Sequence, residues 1–145
     1  MKKLGIIILS TALMTGLMGC GNEKKELVYM ESYDWNITTI QSENGEIIGG
    51  YYEYIEEIED KNATEIRLSC FAQDGDFTIE DYTNIDYYEG SYEIVEEKKE
   101  TVIYNITIGE NTGSAVTSIT KEDDGSKTST LVMTIDGYTL NFQAE

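Results

Sequence analysis

The fold class is decided by the segment TLVMTIDGYTLNF, which runs from Thr130 to Phe142. Asp136 and Gly137 lie between two β-rich runs, and an Asp-Gly pair suits both positive-φ positions of a type I′ turn. The turn predicts three cross-strand pairs on one face: Ile135–Tyr138, Met133–Leu140 and Leu131–Phe142. Because turn chemistry and the two-residue period select the same register, the segment is predicted to be a half-buried antiparallel hairpin.

The same alternation of apolar and polar residues recurs along most of the chain. The other predicted strands are Leu27–Tyr33, Trp35–Gln41, Glu65–Gln73, a run through Phe77 and Ile79, Gly90–Glu96, Thr101–Ile108 and Ser114–Thr120. Residues Tyr51–Ile58 fit a strand or a short helix, and their Tyr and Ile content favours the strand. Turn signals roughly every 8 to 12 residues are typical of a sandwich or barrel. We therefore predict an all-β chain forming a single antiparallel meander barrel of about eight to ten strands, without a clear helix.

The first residues of the chain have the pattern of a secretory signal. Two lysines precede an apolar run from Leu4 to Met18, and small residues follow. The run has about 15 residues, whereas a membrane-spanning helix needs roughly 20. Removal of the segment is therefore the better interpretation, and a retained transmembrane helix is the alternative.

The signal ends in Leu17-Met18-Gly19-Cys20, which resembles the lipobox of bacterial lipoproteins. The resemblance implies cleavage before Cys20 and diacylglycerol on its thiol, often with a further palmitate-type acyl chain on its amine. The chain would then divide into a signal peptide (1–19), the lipidated cysteine with a short tether (20–26), and one domain (27–145). This predicts a lipid-anchored protein on the extracytoplasmic face of the cell membrane. The alternative is an ordinary secretory signal with an incidental cysteine.

The charge of the chain limits its partners. The full chain carries a net charge of −18, and removal of the two signal-peptide lysines would leave −20. Such a surface disfavours nucleic acid and anionic headgroups, so the lipid would have to anchor the protein by itself.

The chain resembles small bacterial lipocalin-like domains, which are calycin-type barrels. The resemblance rests on four ordered pieces: Gly50-Tyr51-Tyr52, Leu68 through Asp74-Gly75-Asp76-Phe77, Gly90-Ser91-Tyr92-Glu93-Ile94, and Asp136-Gly137-Tyr138-Thr139-Leu140-Asn141-Phe142. It implies an up-and-down barrel. Tyr52 stands where lipocalins usually have tryptophan, and their Thr-Asp-Tyr motif and closing arginine are missing. The resemblance therefore predicts the fold more strongly than it predicts ligand transport.

The reactive residues give little support for catalysis. The chain has no histidine, which removes the commonest general base and metal ligand. Cys70 alternates with Ile66 and Leu68, so it is predicted to be a packed core thiol. We therefore expect no enzymatic activity, catalytic residue, cofactor or metal site.

The abundant tyrosines suggest binding. The candidate ligand-binding residues lie on or beside strands that could line a barrel interior or its mouth: Trp35, Tyr52, Tyr54, Tyr82, Tyr88, Tyr92 and Tyr104. We predict a monomeric, lipid-anchored binding or interaction module for a small hydrophobic ligand or an envelope protein. The alternatives are a surface protein-contact module with a solid core and a carboxylate-dependent hydrolase. An apolar interior cavity of roughly 300 Å³ or more would favour the small ligand.

Overall fold

A computed structural model describes residues 26–56 and 62–145. These residues form ten strands, a 3₁₀ turn at Met30–Ser32 and a one-turn helix, α1, at Tyr52–Ile55. The strands are β1 (Trp35–Gln41), β2 (Ile47–Gly50), β3 (Thr64–Glu65), β4 (Leu68–Gln73), β5 (Asp76–Asp81), β6 (Asp86–Glu97), β7 (Thr101–Ile108), β8 (Asn111–Lys121), β9 (Lys127–Ile135) and β10 (Tyr138–Ala144).

Eight of these strands close into an antiparallel meander barrel. Strands β4 to β10 pair in chain order, and β1 closes the ring between β10 and β4. Trp35 lies at the closure, opposite Ala144 on one side and Cys70 on the other. Strand β2 extends the sheet along the second half of β1, and β3 runs parallel to β2. The predicted all-β meander barrel is therefore confirmed.

The last hairpin has the predicted register. Asp136 and Gly137 have φ angles of 51° and 80°, and the cross-strand partners are Ile135–Tyr138, Met133–Leu140 and Leu131–Phe142. Asp74 and Gly75 make the β4–β5 turn in the same way, with φ angles of 53° and 87°. Local turn chemistry therefore set the pairing at both positions.

Inward-facing side chains follow the two-residue period along the strands. In β7, Val102, Tyr104 and Ile106 are buried and alternate with half-buried neighbours. In β6, Gly90 lies opposite Phe77, where a β-carbon would approach the Phe77 ring to 2.3 Å. A residue without a side chain is therefore needed at position 90 to let the Phe77 ring fill the interior.

The expected strand at Leu27–Tyr33 is wrong. This segment enters one end of the barrel, where Val28 and Met30 become buried. The Met30 N–H donates to Tyr104 Oη at 3.0 Å, and Trp35 Nε1–H donates to the Met30 carbonyl at 2.7 Å. Thr117 Oγ1 donates to the Val28 carbonyl. Because the closed barrel offers no free edge at the β1–β10 junction, the backbone of this segment pairs with interior side chains instead.

The preference for a strand at Tyr51–Ile58 is also wrong within its described part, which forms α1. The Tyr51 N–H donates to the Thr38 carbonyl at 3.0 Å, after which the chain turns away from the wall and the Glu56 N–H donates to the Tyr52 carbonyl at 2.9 Å. Residues 57–58 lie outside the described residues. The strand predicted at Glu65–Gln73 starts later than expected, since β4 begins at Leu68. The Ile66 N–H pairs with the Gly50 carbonyl instead.

The two ends of the barrel differ in their connections. The N-terminal segment shares its end with the β4–β5, β6–β7 and β8–β9 connections, and Lys127 Nζ lies 2.6 Å from Glu26 Oε2 there. We call this the proximal end. The β5–β6, β7–β8 and β9–β10 connections form the opposite, distal end.

Candidate binding groove

The centre of the barrel is filled. Met30, Trp35, Tyr104, Leu131 and Met133 all have an accessible fraction of 0 %. A space large enough for water would expose part of the side chains around it, so these residues enclose no ligand-sized cavity. The interior of the barrel therefore supplies stability, and a binding site has to be sought outside it.

A concave groove of about 560 Å³ lies on the outer wall, where β1 changes partners. One edge of β1 pairs with β4 at Trp35 and Asn36 and with β2 from Thr39 to Gln41. Helix α1 leaves the wall between these two pairings. Outward-facing residues of β1, β4 and β10 form the floor and α1 forms one side, contributing Asn36, Thr38, Tyr51, Tyr54, Phe71 and Gln143.

Arg67, the only arginine of the chain, lines this groove. Its guanidinium carbon lies 5.7 Å from the centre of the Tyr51 ring, within the range of a cation–π contact. Its N–H donates to Thr83 Oγ1 at 2.8 Å, and its carbonyl accepts from the Tyr82 N–H at 3.0 Å. Residues at the start of the β5–β6 connection therefore hold the Arg67 backbone in place. The contact with the Tyr51 ring orients the guanidinium.

No ion pair among the described residues involves Arg67, although the chain contains 28 acidic residues. The ion pairs within the described ranges join Lys98 to Glu96 and Lys127 to Glu26. The guanidinium keeps its hydrogen-bond donors available for a bidentate acceptor such as a carboxylate or a phosphate.

Carboxylates and neutral polar groups line the rest of the groove. Asp34, Glu53 and Glu145 supply the carboxylates. Ser69 Oγ donates to Asn36 Oδ1 at 2.7 Å, which orients both side chains. The groove is therefore polar and contains both signs of charge.

Phenol rings border the groove. Tyr54 Oη donates to Gln143 Oε1 at 3.2 Å, which ties α1 to β10. Tyr82 Oη donates to Glu80 Oε2 at 2.6 Å, and this hydrogen bond raises the pKa of Tyr82, together with loss of solvent and the charge of Glu80. The Tyr82 hydroxyl is therefore a neutral hydrogen-bonding group at physiological pH.

The structure separates the predicted aromatic candidates. Tyr54 and Tyr82 line the groove. Trp35 and Tyr104 lie in the core. Of the other three, Tyr92 is half-buried against the core, with its ring 5.6 Å from that of Tyr104. Tyr52 is exposed on α1, and Tyr88 is exposed opposite Ile79.

Sequence reasoning missed Arg67, Tyr51, Phe71 and Asn36. The uniqueness of Arg67 was the available signal, because a single arginine stands out among 28 acidic residues.

Cys70 is a core thiol, as predicted. It is fully buried, and burial raises its pKa to about 12. The thiol is therefore protonated at neutral pH and unsuited to nucleophilic attack.

The described residues contain no group of three or more His, Cys, Asp or Glu side chains that could hold a metal ion. None of the helices in the described ranges is long and apolar enough to cross a membrane. Cys20, the predicted lipidation site, lies outside the described residues. No protein-family model, curated protein or solved structure matches this chain.

Proposed function

We propose that this protein is a lipid-anchored binding module of the bacterial cell envelope, and that it binds through the groove on its outer wall. The observation that carries this proposal is the division between a filled interior and an open lateral groove. A closed eight-stranded barrel fits the lipocalin-like class suggested by the sequence. Ligand binding inside the barrel would require displacement of Met30 and the hydrogen bonds around it.

The anchor and the groove are compatible in position. Cys20 precedes Glu26 by about six residues, which span at most about 20 Å when fully extended. A lipid on Cys20 would therefore keep the proximal end near the membrane. The groove runs along the side of the barrel, from Asp34 toward Tyr82, and would stay open to the envelope.

The proposed role is binding without covalent chemistry. The chain has no histidine, and the Cys70 thiol is buried with a raised pKa. The groove instead offers aromatic rings, amides, hydroxyls and one guanidinium, which are groups that recognise ligands through stacking and hydrogen bonds.

The anchoring part is tested by labelling the full chain with an alkyne analogue of palmitate in a bacterium that processes lipoproteins. We expect label on the wild-type protein and none on Cys20→Ser. Persistent label on Cys20→Ser would show that Cys20 is not the acceptor and would overturn this part of the proposal.

The location of the binding surface is tested by fluorescence on the full chain purified in detergent. Trp35 is the only tryptophan and is buried beside Met30, so it reports on the interior. Tyr54→Trp adds a reporter in the groove. A panel of tripeptides, muropeptides, neutral and acidic oligosaccharides, phosphoethanolamine and palmitate should leave Trp35 emission unchanged.

We expect at least one member of the panel to change the emission of the groove reporter in a saturable way. Saturable quenching of Trp35 by palmitate would support an interior site and contradict the proposal. The absence of any response from the groove reporter to the whole panel would also contradict it.

A further inference from the structure

We propose that the groove recognises a short zwitterionic peptide, with the peptide carboxylate at Arg67 and its amino group toward Asp34. This inference rests on the proposed function, since it assigns a ligand class to the same groove. It follows from the two signs of charge in the groove and from the distance between them.

Arg67 provides the anion-binding end. Its guanidinium contacts the Tyr51 ring and has no ion-pair partner among the described residues, while its backbone is held by Tyr82 and Thr83. A guanidinium held in this way loses little conformational freedom when it binds a carboxylate through two parallel hydrogen bonds.

Asp34 provides the cation-binding end. It directly precedes β1 at the proximal end, whereas Tyr51, beneath Arg67, is hydrogen-bonded to Thr38 further along the same strand. Four residues at the rise of a strand separate these levels by about 13 Å. An extended tripeptide of about 10 Å, with its terminal charges at opposite ends, fits within this separation.

The floor between the two ends carries peptide-binding groups. Asn36, Ser69 and Gln143 present amide and hydroxyl groups there. Tyr54 and Phe71 lie along the same groove and offer apolar surface to the side chains of a peptide. The groove therefore combines end-charge recognition with hydrogen bonding along its length.

The net charge of the protein favours a zwitterion over a singly charged ligand. A purely anionic ligand would be repelled by the strongly acidic surface, and a purely cationic ligand would have no use for Arg67. A ligand with one charge of each sign avoids the long-range repulsion and satisfies both ends of the groove.

The test is isothermal titration calorimetry on the full chain purified in detergent. The ligands are tri-alanine with free termini, N-acetyl-tri-alanine, tri-alanine amide and phosphoethanolamine. The proteins are wild type, Arg67→Gln, Asp34→Asn, and Lys121→Gln as a control for the loss of an exposed positive charge outside the groove.

We expect Arg67→Gln to weaken binding of free tri-alanine about ten-fold, because a charge-assisted hydrogen bond is lost. The same substitution should leave the weak binding of tri-alanine amide unchanged. Asp34→Asn should weaken binding of the free peptide and leave the N-acetylated peptide unaffected. Lys121→Gln should bind like wild type.

Equal affinity of wild type and Arg67→Gln for free tri-alanine would overturn the inference. Equal affinity of wild type for the free, acetylated and amidated peptides would also overturn it. Binding of phosphoethanolamine without binding of tri-alanine would assign the anion site to a phosphate and exclude the peptide.

The groove reporter separates the inference from the proposed function. If Tyr54→Trp responds to another envelope component while tri-alanine does not bind, the peptide is excluded and the binding module stands. If it responds to none of the panel, both fail. Arg67 is exposed, so Arg67→Gln should keep the wild-type thermal midpoint, and Arg67→Lys should bind with intermediate affinity.

Discussion

The interior of the barrel and the lateral groove are built from the same strands but differ in how their polar groups are satisfied. In β1, Trp35 and Ile37 face the core while Asn36 and Thr38 line the groove. In the core, Tyr104 Oη accepts from Met30 and has no accessible surface. In the groove, the Arg67 guanidinium remains exposed and without an ion pair among the described residues. One face therefore stabilises the fold, and the other is available for binding.

The largest expected effect is on the core face. Trp35→Ala removes a fully buried ring and leaves the Met30 carbonyl without its donor, so we expect a loss of about 4 kcal/mol in the free energy of unfolding. Urea denaturation measures it. Trp35→Phe keeps an aromatic ring and should lose less. A wild-type midpoint for Trp35→Ala would show that the core face does not stabilise the fold more than the groove does.

The second-largest effect on the free energy of unfolding is expected at Asp81, a buried residue that holds the loop bordering the groove. Its carboxylate accepts hydrogen bonds from the Thr83 N–H, the Asn84 N–H and Asn84 Nδ2 at 2.8–3.0 Å. Thr83 in turn fixes Arg67. Asp81→Ala should cost about 2 kcal/mol of unfolding free energy.

The same carboxylate gives a pH dependence. Burial alone would raise the pKa of Asp81, but the hydrogen bonds from Asn84 and Thr83 outweigh it and lower the pKa. A lowered pKa in the folded state contributes stability that is present above the ordinary pKa of 3.8 and is lost as the pH falls through the folded value. Thermal midpoints between pH 6 and pH 2 should therefore fall less steeply for Asp81→Asn than for wild type. Parallel profiles would contradict this assignment.

A smaller effect of opposite sign is expected at the distal end, on the β5–β6 connection that borders the groove. Ile85 is 93 % exposed and has a φ of 56°, an unfavourable angle for a β-branched side chain. Ile85→Gly should stabilise the protein by about 1 kcal/mol, because glycine adopts this angle without strain.

Ile48→Gly is the matched control for Ile85→Gly. Ile48 is also exposed but lies in β2 without a positive φ, so its replacement should destabilise the protein by about 0.5–1 kcal/mol. Thermal unfolding compares the two variants. Destabilisation by both would show that Ile85 makes contacts that outweigh its backbone strain.

The smallest effect on stability is expected in the groove. Tyr54 is 42 % exposed and its hydroxyl makes an exposed hydrogen bond to Gln143. Tyr54→Ala should change the unfolding free energy by no more than about 0.5 kcal/mol. A loss comparable to that of Trp35→Ala would show that the groove is part of the structural core and would remove the distinction between the two faces.

Much of the barrel could be predicted because its signals are local. The Asp-Gly turns at positions 74–75 and 136–137 fix the registers of two hairpins, and the alternation in β7 identifies its inward face. The prediction failed at Leu27–Tyr33 and in the described part of Tyr51–Ile58, although β-forming side chains are abundant in both segments. Propensity describes a single segment, whereas strand formation needs a partner.

The candidate site was only partly predictable. Two of the seven aromatic candidates, Tyr54 and Tyr82, line the groove. The others could not be separated from these by sequence, because a tyrosine on a strand has the same local pattern in a core, on a surface or in a groove. Arg67 was missed because its role depends on Tyr51 and Thr83, which are distant in the chain.

The strand periodicity, the tight turns and the meander follow from local sequence, since each depends on residues only a few positions apart. Tertiary structure decided that the N-terminal segment fills the barrel and that β1 changes partners to open a groove. Both outcomes depend on which polar groups remain unpaired after the barrel closes. Tyr104 Oη accepts from the Met30 N–H, and the Thr38 carbonyl accepts from the Tyr51 N–H. Such long-range complementarity is a property of the assembled fold and has no signature within any one segment.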